Sequence, residues 1–177
     1  MSALRLSPAL ASWAQLAADL VNTRPRETDP PEKLRTLDDL RRLLAACPDP
    51  VPPCGEDDLP AMRALREPLV AAFDAPSYAA FARAVNPLLG GGWQLVSAGD
   101  GWLLAPTSTS SPASWFGAHA AHGLAELALT YGLERMHLCR ANDCLRAVVD
   151  VSRNGTRRYC SRTCANRVNA RRHRAAH

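Results

Sequence analysis

The feature that most constrains this chain is a set of four cysteines near its end. Cys139 and Cys144 have four residues between them, fifteen follow, and Cys160 and Cys164 have three between them. Two close pairs about 15 to 20 residues apart let four thiolates converge on one tetrahedral Zn²⁺. Inert core thiols and disulfides are the bland alternatives. Against them, Arg140, Arg158 and Arg162 flank the cysteines and suit no apolar core, and a reducing cytosol keeps thiols unpaired. The 39 residues from Cys139 onward carry few large apolar side chains. Such a segment cannot fold on a core of its own, whereas structural zinc supplies about 10–16 kcal/mol of apparent binding energy. The spacing therefore predicts one structural Zn²⁺ per chain, held by Cys139, Cys144, Cys160 and Cys164, with no open position for water or substrate.

The residues around the cysteines suggest the module's form. Leu145–Val151 is β-rich, Asn154-Gly155 is a hairpin-turn dipeptide, and Thr156–Cys160 returns the chain. Ser161 is a good N-cap for a helix running toward the C-terminus. Knuckle, β-hairpin and C-terminal helix together describe a treble-clef-like zinc module over residues 135–177.

Upstream, residues 1–134 read as a separate, helical domain. Leu10, Trp13, Leu16, Ala17, Leu20 and Val21 recur at spacings of three and four and share one helical face. Asn22-Thr23-Arg24-Pro25 stops that helix, and a loop runs to Pro31. Thr36 caps a second helix through Leu44. Met62, Leu65, Leu69 and Phe73 mark a third, which Pro68 kinks or divides, and a fourth covers Ser77–Leu88. After Gly90-Gly91-Gly92, the runs Trp93–Val96 and Trp102–Ala105 predict a small β-hairpin. A long helix from Ser114 to Tyr131 follows, with Gly132 as its C-cap. The fold class is mainly α, within an α+β frame.

Charge divides the chain at the same place. The net +4 of the 177 residues separates into −4 for Met1–Leu138 (11 basic, 15 acidic) and +8 for Cys139–His177 (10 basic, 2 acidic). All ten basic residues of the second part are arginines, whose forked, permanent charges suit phosphates and base edges. If the last segment is helical, Arg167, Arg171 and Arg174 form one positive stripe bordered by Asn166, and Arg153, Arg157 and Arg158 add charge at the hairpin. These seven are the candidate nucleic-acid contacts, since Arg and Asn also read guanine and adenine edges. DNA is the expected partner. The competing expectation is a protein-interaction adaptor whose basic finger docks on an acidic partner or on RNA. An enzyme is not expected, because the tail lacks a His-His pair or a carboxylate cluster for catalysis. No apolar run reaches the 18–20 residues of a membrane span, and a soluble, cytoplasmic protein is expected.

Beyond the spacing, Arg157-Arg158-Tyr159-Cys160-Ser161 followed by Cys164-Ala165-Asn166-Arg167 resembles the CGNR zinc finger, named for its Cys-Gly-Asn-Arg motif. Asp150-Val151-Ser152 fits that family's Asp-x-Ser element, and Leu20-Val21-Asn22-Thr23 sits where its N-terminal ABATE domain ends an apolar helix in Asn-Thr. The resemblance implies a bacterial, stress-responsive transcription regulator whose zinc-bound C-terminal module binds DNA. It also implies a body that homodimerises or senses a small-molecule effector. Two departures stand out: Ala165 replaces the motif glycine, and three residues rather than four separate the second cysteine pair. Trp13, Trp93, Trp102 and Trp115 line a pocket or the core. His119 and His122, three apart on the long helix, are assigned no cysteine or acidic partner. Cys47 and Cys54 read as ordinary thiols.

Overall fold

The computed structural model describes residues 7–24, 32–98, 101–107, 111–142 and 144–175. The predicted loop at 25–31 therefore lies outside the described residues, as do the tip of the first hairpin and the Trp102 side chain.

Two helices form the centre. Helix α1 (Pro8–Asn22) starts where Ser7 Oγ accepts from the Leu10 N–H at 3.2 Å, with Pro8 in a first-turn position that lacks a partner anyway. Its buried face is Trp13, Ala14, Leu16, Ala17, Ala18, Leu20 and Val21. Helix α6 (Pro112–Tyr131) is capped by Ser111 and closed by Gly132 at φ +93°. It crosses α1 at Gly123, where an added Cβ would lie 2.7 Å from Trp13 Cβ and 2.8 Å from the Ala14 nitrogen and the Leu10 oxygen. Only glycine permits that approach.

The remaining helices pack around this pair. Helix α2 (Leu37–Leu44) opens with a reciprocal capping box between Thr36 and Asp39 and buries Leu40 and Leu44. The predicted third helix is divided into α3 (Leu59–Ala64) and α4 (Arg66–Phe73). The break falls at Leu65, ahead of Pro68, because the proline ring clashes with the carbonyl four residues back and supplies no N–H. Helix α4 carries a buried cation, Arg66, whose two terminal nitrogens donate to both Glu32 oxygens at 2.7 and 2.8 Å. Helix α5 (Tyr78–Leu89) is capped by Ser77. Strands β1 (Trp93–Ala98) and β2 (Gly101–Pro106) pair antiparallel, so the predicted hairpin is present with longer strands and a tighter connection.

The second hairpin differs from expectation. Strand β4 (Ala147–Val149) pairs with β3 (Met136–Leu138), upstream of the first cysteine, rather than with Thr156–Cys160. The Asn154-Gly155 turn does form, with Gly155 at φ +59°. The chain beyond it is held by a side chain instead of a ladder. Asp150, 1% exposed, accepts the Ser152 N–H at 2.9 Å and the Arg157 N–H at 2.8 Å.

Strand β4 is buried on both faces, and alternation along it assigns each face an owner. Ala147 and Val149 join Met136 in the core of the helical body, while Val148 packs with Cys139, Ala141, Cys144 and Cys164. The outer edge of β4 is satisfied from 125 residues away. Asn22, at the end of α1, donates from Nδ2 to the Ala147 oxygen at 3.0 Å and accepts the Ala147 N–H on Oδ1 at 2.9 Å. One amide thus reproduces what a neighbouring strand would supply. Among the described residues no helix is long and apolar enough to cross a membrane.

Candidate metal centre

The β3–β4 hairpin and helix α7 (Arg162–Ala175) bring the four cysteines together. The first pair lies in the connection between β3 and β4, where the Cys139 N–H bonds the Arg146 oxygen at 2.7 Å and the Cys144 N–H bonds the Ala141 oxygen at 2.9 Å. The second pair brackets the start of α7. Ser161 caps it, its Oγ accepting the Cys164 N–H at 3.3 Å.

All four Sγ atoms lie within 4.8 Å of one another, with Cys144–Cys160 and Cys160–Cys164 each at 3.6 Å. Zn–S bonds of about 2.3 Å give a tetrahedron with edges of about 3.8 Å. The cluster therefore has the dimensions of a ZnS₄ site, and these cysteines form a single structural zinc site. Burial pushes the Cys144 and Cys160 thiols up, and neighbouring sulfurs reinforce it for both. Burial acts the same way on Cys164, but hydrogen bonding to Cys160 and Ser161 outweighs it and holds that thiol below its ordinary value. Sulfurs crowded this closely share protons poorly and suit a divalent cation that accepts four thiolates.

N–H donors face the sulfurs, the Arg146 amide at Cys144 among them. The Cys160 amide points to Cys139 Sγ at 3.3 Å, and Arg167 Nη2 lies 3.5 Å from Cys164 Sγ. Donors of this kind orient thiolates and offset the −2 charge of a tetrathiolate zinc centre. The arginine that ends the Cys-Ala-Asn-Arg run therefore turns back onto the cysteine that begins it. Ala165 lies inside α7, and no non-glycine residue among those described has a positive φ, so the glycine-to-alanine departure is accommodated by helix.

The structure separates the seven predicted nucleic-acid residues by what their side chains touch. Arg157 spans the module: its guanidinium donates to the carbonyls of Val149, Tyr159 and Cys160 at 3.0–3.4 Å. Its own carbonyl accepts from His137 Nε2 at 2.8 Å. Arg167 faces Cys164. Arg153, Arg158, Asn166, Arg171 and Arg174 are exposed. Asp150 is the only acidic residue described between 139 and 175, and it is buried with both oxygens bonded. Among the described residues of the module, the arginines therefore face solvent with no exposed carboxylate beside them.

The other candidate groups go to the core. His119 is 4% exposed, donates from Nδ1 to the Trp115 oxygen at 2.9 Å, and packs against Trp13, Trp93 and Trp115 at centroid distances of 4.6–5.4 Å. Desolvation holds it below the ordinary histidine value. Two carboxylates near the histidines were missed from sequence. Asp49 accepts from Trp13 Nε1 at 2.7 Å and lies 4.0 Å from His119 Nε2, and Glu126 sits one turn beyond His122 at 3.9 Å. The Glu126 spacing was readable; the Asp49 contact, from a distant loop, was not. Cys47 is partly buried against the body core, where burial, reinforced by Asp49, pushes its thiol up to about 12. Cys54 packs against the same core.

Residues 135–177 match the CGNR zinc finger family. Residues 14–151 match the ABATE family, described as a putative stress-induced transcription regulator. The two matches overlap over residues 135–151, the β3–β4 hairpin that contributes to both cores. No curated protein matches the chain. With a helical body, a four-cysteine zinc site and a match covering most of its length, the chain belongs to the ABATE family and ends in a CGNR zinc finger.

Proposed function

We propose that this protein is a zinc-dependent DNA-binding regulator and that its C-terminal module is the DNA-contacting part. The observation that carries the reading is the set of exposed arginines on α7 and the 152–158 turn, in a module whose described carboxylate is buried and satisfied. Arg153, Arg158, Asn166, Arg171 and Arg174 make the contacts. Arg157 and Arg167 instead hold the backbone and the Cys164 thiolate that position them. The role is binding rather than catalysis, since four thiolates leave zinc no open coordination position.

Each neutralised phosphate contributes about −0.9 to the slope of log affinity against log salt, so four arginine contacts give a slope near −3.6. The test uses the full zinc-loaded chain, because Met136, Ala147 and Val149 belong to the body core and an excised module would expose them. Fluorescence anisotropy with a mixed-sequence duplex at about 50 and 200 mM salt should show this dependence. Arg171→Gln with Arg174→Gln should reduce the slope by about 1.8. Binding that is absent at low salt, or insensitive to salt, overturns the reading.

A further inference from the structure

A second feature of the Asn22 clasp lies on its solvent side. A cavity of about 370 Å³ opens at the end of α1, between Asp19, Asn22 and Thr23 on one wall and Lys33, Leu34 and Leu43 on the other. It is an open surface depression, and four charged side chains line it. Its charges are unusual for this chain. Of the 21 basic residues, all but Lys33 are arginine. The one lysine stands at this cavity, its backbone fixed by an N–H bond to the Thr23 oxygen at 2.8 Å. Asp19 uses Oδ1 to accept from Gln15 at 2.9 Å, and its second oxygen has no partner among the described residues. The other charged pair at the rim, Asp39 and Arg42, is already joined, and Asp39 also caps α2. What remains is one carboxylate and one ammonium set over two leucines.

That arrangement complements a small molecule with both charges and a short apolar body. We propose that the cavity binds a zwitterion of the α-amino-acid class, its ammonium toward Asp19 and its carboxylate toward Lys33. Occupancy reaches the zinc module through Asn22, which lines the cavity and holds both backbone groups of Ala147. The next residue, Val148, packs against Cys139, Cys144 and Cys164. A ligand that orders the end of α1 thereby orders the strand beside the sulfur cluster. The inference does not depend on DNA binding.

The test is calorimetric titration of the zinc-loaded full chain with each of the twenty standard α-amino acids, and with acetate and ethylamine as single-charge probes. At least one amino acid should bind saturably while the single-charge probes do not. Lys33→Met and Asp19→Asn, both at exposed positions, should each weaken that binding at least tenfold. With the bound amino acid saturating, zinc transfer to a chromogenic chelator should slow several-fold in the native chain and not in Lys33→Met. No binding by any of the twenty, or binding that survives both substitutions, overturns the site. Zinc transfer unchanged by a saturating amino acid overturns the coupling.

Discussion

Replacing Asn22 with alanine removes one side chain and leaves two backbone groups without partners. The Ala147 N–H and C=O are within 2.9 and 3.0 Å of the Asn22 amide, and Ala147 is 3% exposed. An unsatisfied buried donor or acceptor costs about 1–3 kcal/mol. Two of them sum to about 2–6 kcal/mol, and water entering beside the half-buried amide returns part of that, so we expect about 2–4 kcal/mol. Asn22→Asp does no better: it retains an acceptor for the N–H but sets a carboxylate oxygen against the Ala147 carbonyl. Asn166→Ala, at an exposed helical site, is the control and should stay within about 0.5 kcal/mol. Urea unfolding of the zinc-loaded protein, followed by tryptophan fluorescence, measures all three, because Trp13 and Trp115 lie in the core joined to β4. A loss below about 0.5 kcal/mol for Asn22→Ala would refute the argument that one amide stands in for a strand.

The remaining predictions concern the helix crossing, acid stability and the zinc site. Gly123→Ala drives a methyl into α1 backbone at 2.8 Å and should lower stability by about 1–3 kcal/mol or more, read as a fall in Tm. Acid should act in two stages. His119 and His122 are held below the ordinary histidine value chiefly by desolvation, so the unfolded chain binds more protons and stability falls as pH drops below about 6.5. Glu32 and Asp150 are desolvated, yet hydrogen bonds, from Arg66 to Glu32 and from Ser152 and Arg157 to Asp150, hold both below the usual carboxylate range. Their contribution is complete above about pH 5 and is lost as pH falls through the folded values. Tm measured from pH 8 to pH 3 should therefore decline in two steps, and a flat profile down to pH 5 refutes the histidine part. Arg167→Gln should accelerate zinc transfer to a chelator several-fold, whereas Arg174→Gln, at the far end of α7, should leave it unchanged.

How much of this was legible from sequence follows from the range of each interaction. The helix starts at Thr36 and Ser77 were readable because each is set by a hydroxyl three residues from the amide it accepts, whereas the long helix, read from Ser114, starts at Pro112 behind a Ser111 cap. The thiolate set was legible for a similar reason, since knuckle spacing is a local property. Pairing of β4 was not. The β-rich run Leu145–Val151 and the Asn-Gly turn both pointed forward to Thr156–Cys160, but Asp150 takes the amides that a forward ladder would have used. The arginines misled in a different way. Charge counts Arg157 and Arg167 with their neighbours, yet their guanidiniums face carbonyls and a sulfur, which only the fold reveals. Asn22 was visible as part of a motif, but its partner lies 125 residues away.

The double burial of β4 also orders events during synthesis. Helix α1 leaves the ribosome 125 residues ahead of Ala147, so its terminal amide waits for that partner, and the body core stays open until Met136 and Val149 arrive. Nascent domains generally fold as units, earlier ones first. Here the earlier unit lacks a wall until the later one has emerged, and the later one lacks its core until four thiolates have a metal. Closing the body and packing the sulfur cluster thus draw on three consecutive residues, Ala147, Val148 and Val149.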